Sequence, residues 1–381
     1  MKILFVIDMF IEGGASNAMI GLIEGLLIKN IESKIFTREN YSTYNKVEIS
    51  VGDGNELVEY IKINSFDRIH WFRTNFSILS HSYFDACEKK KFQSPFIFVT
   101  LCQVPKSFLL RLTLRELKGF DYFIFICKEA YNYKYHKIIP DERKAMIYFG
   151  THHIDRITPK DNYSDEVLVF GRGSTLNKCP DDMIENYLKI SEGVKSKFKI
   201  AGDGDTSKIL NKVKQLNCPS VIELVPHLSP DAWFSFLRSL DIYLYQLPAD
   251  TYSAIDATIQ DAMLAEIPVV ILGPEAPKEL VINGFNGFAA SSITEFIGYA
   301  RQLVNDAALR KKIGKAGRLH MIENFPHSKT VDNYYNLYHF AYNRTLKKFK
   351  IPFFYAFKYK LKYLREEFSE RTTQLLRKKN N

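Results

Sequence analysis

The feature that most constrains this chain is an alternation that runs twice. Short apolar runs, each long enough for one buried strand, are separated by stretches with helical spacing; the pattern stops once near the middle and restarts. A strand covered on both faces is apolar at nearly every position, and helices between such strands imply parallel crossovers. In the first half the expected strands are residues 3–7, 33–36, 68–72, 96–101, 122–127 and 145–148. Between the first two, Met19, Leu22, Ile23, Leu26 and Leu27 recur on one helical face. Residues 150–159, from Gly150 to Pro159, break the regularity, and the polar Lys160-Asp161-Asn162 follows. That break reads as a hinge. Beyond it, strands are expected at 167–170, 197–200, 221–224, 242–245 and 269–271, with helices at 180–191, 207–215, 229–239 and 258–264. A closing helix is expected at 329–342.

At 381 residues the chain exceeds what one hydrophobic core usually serves. The expected fold class is therefore α/β, with two Rossmann-like doubly wound domains facing a cleft. The expected division is 1–158 for the first domain, 159–326 for the second, 327–344 for a helix crossing back to the first, and 345–381 for a tail.

The apolar start ends early at Asp8, so it reads as a strand rather than a signal peptide. No apolar run approaches the roughly 20 residues that span a bilayer. Cys87, Cys102, Cys127, Cys179 and Cys218 are scattered without a Cys-x-x-Cys pair, which suits neither a zinc site nor a disulfide framework. A reduced, cytoplasmic chain is the expectation. Charge is uneven. Of 52 Lys/Arg and 43 Asp/Glu, residues 345–381 hold 11 and 3, so the tail carries +8 and the remainder +1. The tail is also aromatic. Phe353, Phe357, Leu361, Leu364 and Phe368 share one face of a helix entered at Pro352, the profile of a segment lying on an anionic membrane. A helix packed on the protein body or on a second subunit is the other reading of the same pattern. The positive charge is not spread over a domain face, and no nucleic-acid motif is present, so nucleic acid is not an expected partner.

Five motifs sit where strands give way to loops. Glu12-Gly13-Gly14 precedes the first helix, where glycines admit a ligand to free backbone N–H groups; a plain tight turn has the same pattern. It lacks the Gly-x-Gly-x-x-Gly spacing of a nicotinamide enzyme. Gly171-Arg172 ends a strand and Lys178 follows six residues on, two cations suited to a pyrophosphate or simply a solvated pair. Gly202-Asp203-Gly204-Asp205 reads as a turn lining a nucleotide pocket; the alternative is a metal-binding Asp-x-Asp. Ser253-Ala254-Ile255-Asp256 leads into a helix carrying Asp261-Ala262-Met263, and Pro268-Val269-Val270 follows. Last comes Glu279-Leu280-Val281-x-x-Gly284-x-x-Gly287-Phe288.

In this order and spacing, from Lys2 to about Tyr338, the motifs resemble the family-4 retaining glycosyltransferases of the GT-B fold. The resemblance implies that Gly13 and Gly14 approach a donor phosphate, and that Arg172 and Lys178 hold the leaving diphosphate. Gly171, Gly202 and Gly204 would line the nucleotide pocket. Ser253, Ala254, Ile255 and Asp261 fall on the family's Glu-x7-Glu segment, with Asp261 at the carboxylate that binds the nucleotide ribose. Ser253 replaces the sugar-facing carboxylate, and Asp256 is the candidate substitute. Cys102 stands where the family has a histidine that contacts the donor sugar, and Glu266 stands where it has glycine. The expected substrates are a nucleotide-diphosphate sugar, such as a UDP- or GDP-sugar, and a glycan or lipid-linked acceptor. No metal and no cofactor are expected, and the expected place is the cytoplasm, peripheral on the inner face of the plasma membrane. A non-catalytic sugar-nucleotide binder and a nicotinamide-dependent oxidoreductase are the alternatives.

Overall fold

The computed structural model describes residues 1–342 apart from 12, 75–76, 103–111, 135, 161–166, 173–179, 202–205, 219, 227, 249–250 and 252. The chain divides into two compact units. One comprises Met1–Phe149 with the chain from Ser328 onward, and the other Gly150–His327.

The first unit runs β1 (Lys2–Phe10), α1 (Gly14–Ile28), β2 (Glu32–Asn40), β3 (Ile49–Val51), α2 (Gly54–Asn64), β4 (Arg68–Arg73) and α3 (Ile78–Lys89). It continues with β5 (Phe96–Leu101), α4 (Leu114–Gly119), β6 (Tyr122–Phe125), α5 (Lys128–Tyr131) and β7 (Lys144–Met146). Its strands are all parallel, in the order β3-β2-β1-β4-β5-β6-β7. Strands β1, β4, β5 and β6 are buried along almost their whole length because helices cover both faces, which is why they read as unbroken apolar runs.

The second unit runs β8 (Val167–Arg172), α6 (Met183–Ile190), β9 (Ser196–Ala201), α7 (Ser207–Gln215), β10 (Ile222–Val225), α8 (Pro230–Arg238) and β11 (Ile242–Gln246). Then come α9 (Ala257–Leu264), β12 (Val269–Leu272), α10 (Glu275–Lys278), β13 (Phe288–Ala290), α11 (Ile293–Asn305) and α12 (Ala307–Asn324). Its parallel order is β10-β9-β8-β11-β12-β13. One apolar cluster around Val169, Tyr187, Phe198 and Leu303 lies on one side of this sheet, and another around Tyr243, Tyr245, Met263 and Met321 on the other.

The short edge strands β3 and β13 are absent from the sequence-based expectation, since three residues carry too little pattern to stand out. Strand β6 stops at Phe125 rather than running on to residue 127, because Cys127 already caps α5. Strand β7 is Lys144–Met146, displaced from the expected 145–148.

Helix α13 (His327–Tyr342) closes the first unit. Its docking is polar as well as apolar. His70 on β4 is fully buried, with Nδ1 bonded to the Tyr338 hydroxyl and Nε2 2.8 Å from Thr100 Oγ1, which in turn lies 2.9 Å from the Tyr334 hydroxyl. Thr330 Oγ1 donates to the Tyr148 carbonyl at 2.9 Å. Val331 packs where only glycine fits on α1: a Cβ on Gly25 would stand 2.3 Å from a Val331 methyl.

Residues 150–158, expected with the first domain, pack instead with the second unit. Ile157 is buried in the second core, and the Arg318 guanidinium donates to the carbonyls of both Ile157 and Leu264. Lys160 donates its amide to Ala265 O at 3.0 Å and sets its ammonium 3.2 Å from the buried Asp241 carboxylate. The boundary falls before Gly150 because the anchoring begins at Thr151, whose hydroxyl donates to Asp261 of α9 at 3.2 Å.

Candidate functional site

Each sheet reverses direction beside its first strand: the order steps outward from β1 to β2 and β3, then crosses to β4, and likewise from β8 to β11. In open α/β sheets ligands bind beyond the carboxyl ends of the strands at such a reversal. The sequence-derived residues of the second unit fall there. Gly171 and Arg172 end β8, where only their backbone is described. Gln246 ends the neighbouring β11, and the loop after it carries Ser253, Ala254 and Ile255 to Asp256, the N-cap of α9. Lys178, Gly202 and Gly204 lie outside the described residues, as does the tail 345–381.

Asp256 is engaged locally. Its Oδ1 accepts from the Thr258 amide at 3.1 Å and the Thr258 hydroxyl at 2.8 Å, and its Oδ2 from the Tyr245 hydroxyl at 3.1 Å. Ser253 is buried with Oγ 3.1 Å from that same Tyr245 hydroxyl. The pair is therefore joined through Tyr245, which the sequence offered only as a strand residue. A helix N-cap and a bridging phenol hold this loop in one conformation. Gln246, also unmarked in the sequence, is buried and donates to Asp182 Oδ1 at 3.0 Å, linking the end of β11 to the start of α6.

Asp261 lies on the buried face of α9. Trp233 Nε1 donates to its Oδ2 at 3.0 Å and Thr151 Oγ1 to its Oδ1 at 3.2 Å. These partners are 28 and 110 residues away, so no local signal could have named them. Glu266 follows α9 with φ +62°, the left-handed region that favours glycine. That is the physical reason a glycine is expected at this place, and here a glutamate bears the strain.

In the first unit Gly13 caps α1 without a side-chain hydrogen bond, and Gly14 opens the helix. A Cβ built on Gly14 meets nothing within 4 Å, so packing inside the chain does not require glycine there. The open surface beside the first N–H groups of a helix suits an anion. Asp8 ends its run nearby on β1, accepting from Ser77 Oγ and, at 2.9 Å, from the Leu79 amide. Burial holds its carboxyl above the usual range despite these donors. Cys102, just past β5, is buried with its amide donating to Arg73 O at 3.1 Å, and burial pushes its thiol up to about 12. The thiol is protonated at neutral pH and is no substitute for an imidazole in acid–base work. Arg73 and Glu116 form a buried ion pair, with Nε 2.7 Å from Oε1, and Ser80 Oγ donates to the same oxygen at 3.0 Å. Among the described residues, no three His, Cys, Asp or Glu side chains stand together as metal ligands, and no helix is long and apolar enough to cross a membrane.

Two reversed parallel sheets, each with its loop cluster at the carboxyl edge, define the GT-B class of fold. Residues 153–320, most of the second unit, match the family model described as Glycosyl transferases group 1. Three solved structures are similar to the chain. A glycosyltransferase from Rickettsia africae has 15% identity and a TM-score of 0.69, covering 90% of this chain and 99% of its own. HepE from Anabaena in complex with UDP has 15% identity and a TM-score of 0.72, with 88% and 99% covered. Sucrose-phosphate synthase from Thermosynechococcus elongatus has 14% identity and a TM-score of 0.69, with 90% and 99% covered. No curated protein matches the sequence. The family match and the fold together support sugar transfer as the chemistry of this chain.

Proposed function

We propose that the chain is a retaining, metal-independent glycosyltransferase that moves a sugar from a nucleotide-diphosphate sugar to a glycan or lipid-linked acceptor in cell-surface polysaccharide or glycolipid synthesis. The observation that carries this reading is the convergence of Gly171-Arg172 and the Ser253–Asp256 loop on the carboxyl ends of β8 and β11, inside the span that matches group 1 glycosyltransferases. A bound UDP in the similar Anabaena structure supports a nucleotide sugar as donor.

In this mechanism the acceptor hydroxyl attacks the anomeric carbon from the face the diphosphate leaves. The C–O bond to phosphate breaks, the new glycosidic bond forms, and the departing phosphate takes the hydroxyl proton. Arg172 and Lys178 neutralise charge as it grows on the diphosphate. Catalysis is positioning plus charge stabilisation, the part a metal supplies in other transferases. Residues 346–381 lay the enzyme on an anionic membrane, where a lipid-linked acceptor would be met. Flotation on anionic liposomes with and without those residues checks that part.

Transfer and hydrolysis assays over a panel of UDP- and GDP-sugars test the reading. Arg172→Ala is expected to lower turnover by two or more orders of magnitude with the unfolding midpoint unchanged; full activity in that variant overturns it. A second reading, a non-catalytic sugar-nucleotide binder, is favoured by one observation. Asp256, the candidate for the missing sugar-facing carboxylate, already serves Tyr245 and Thr258. Donor binding without transfer or hydrolysis by the unmodified chain would select it.

A further inference from the structure

Asp261 raises a question of access. Its side chain is 5% exposed, and each carboxylate oxygen already has a donor from within the second unit. His153 Nδ1 lies 3.8 Å from Oδ1, beyond hydrogen-bond reach. Each oxygen could accept a second bond, but at 5% exposure the space around the carboxylate is filled. A ligand hydroxyl therefore reaches it only by displacing a group already there, and Thr151 and Trp233 are the two donors in place.

The two differ in how they are held. Trp233 sits on α8, a helix capped by Ser229 and begun by a proline, and displacing it would leave an indole N–H without its carboxylate. Thr151 sits in the irregular segment between Phe149 and the short turn Ile154–Arg156. Its oxygen also accepts the His153 amide at 3.2 Å, a local turn bond that is given up with the hydroxyl's place at Asp261. Exchanging the Thr151 hydroxyl for another hydroxyl replaces like with like.

We propose that Thr151 is a resident competitor at Asp261, occupying in the empty protein the position that a hydroxyl of the donor's ribose takes on binding. The inference rests on the reading of the second unit as a sugar-nucleotide site. Donor binding then displaces Thr151 and loosens residues 150–153, the stretch by which the chain enters this unit. Thr151 thus sets donor affinity without touching the reacting atoms.

The test is calorimetric titration of UDP and of GDP into the full chain and into Thr151→Ala and Thr151→Ser. Losing the competitor is expected to tighten nucleotide binding roughly two- to tenfold in Thr151→Ala, the range of one modest hydrogen bond, while Thr151→Ser binds like the parent. A spectroscopic arm runs beside it. The chain has two tryptophans, and Trp71→Phe leaves Trp233 as the single indole, hydrogen-bonded to the carboxylate in question. Its emission is expected to change on nucleotide binding, and to start from an altered value in Trp71→Phe/Thr151→Ala. Equal or weaker binding by Thr151→Ala overturns the proposal. Failure of both nucleotides to bind the parent chain instead overturns the donor-site reading beneath it.

Discussion

The hydroxyl of Tyr338 is bonded to Nδ1 of His70, so the last described helix and the fourth strand meet at a polar point inside an aromatic core. Burial holds the His70 imidazole down to about 3, and that of the buried His136 to about 4, against an ordinary value of 6.5. Both rings are neutral in the folded unit.

A pH dependence follows from the sign of that shift. As pH falls below about 6.5 the unfolded chain binds protons that the folded chain refuses, so stability declines from there toward pH 3 and is complete above about 6.5. Urea unfolding at stepped pH should show the decline. In His70→Gln the slope should be shallower by about one proton; an unchanged slope would locate the effect elsewhere.

Arg73 and Glu116 are both buried and paired, and Glu116 also accepts from Ser80 and completes the capping box of α4 with Thr113. Glu116→Ala takes away the carboxylate that faces the buried guanidinium together with the cap it gives α4, and should cost the first unit about 3–5 kcal/mol. The joint replacement Arg73→Met with Glu116→Leu should cost much less, because no charge is then stranded. Chemical denaturation of the two variants against the parent decides between a paired and an independent role.

Glu266 has φ +62°, where a side chain is strained and glycine is not. Glu266→Gly is expected to raise stability by about 1 kcal/mol, and the β-branched Glu266→Val to lower it. Thermal unfolding of both variants reads the opposite signs.

Asp256 is an N-cap by geometry and a catalytic candidate by resemblance, and one pair of variants separates these roles. Asparagine also caps helices, so Asp256→Asn should hold stability within about 0.5 kcal/mol, whereas Asp256→Ala should lose about 1 kcal/mol. Measured transfer in Asp256→Asn then reports on the charge alone: normal turnover would confine the residue to the loop, and a large loss with the fold intact would put its carboxylate in the chemistry.

Much of this protein was legible residue by residue. The buried strands β1, β4, β5, β11 and β12 announce themselves because burial on both faces demands an apolar residue at almost every position. The loops after them announce themselves through Gly13-Gly14, Gly171-Arg172 and Ser253–Asp256, where glycines and small polar residues interrupt those runs. The edge strands β3 and β13 were silent, being three residues long and pairing along one side only.

The candidate site divides the same way. That Gly171-Arg172 and the Ser253–Asp256 loop belong to one sheet edge follows from their places at the end of β8 and at the start of α9. What each does with its atoms did not follow. Asp256 is shared with a phenol on β11, Asp261 is held by an indole on α8 and a hydroxyl at position 151, and Cys102 is a protonated, buried thiol. By itself, the sequence determined the alternation of elements, the two-unit plan and the loops at the strand ends, because burial and turn formation are local requirements written into consecutive residues. Only the tertiary structure decided the sheet orders, the polar contacts by which α13 docks on β4 and β5, and the partners of the buried carboxylates. Those are pairings between residues as far apart as His70 and Tyr338, chosen by shape and hydrogen-bond complementarity that no stretch of neighbouring residues encodes.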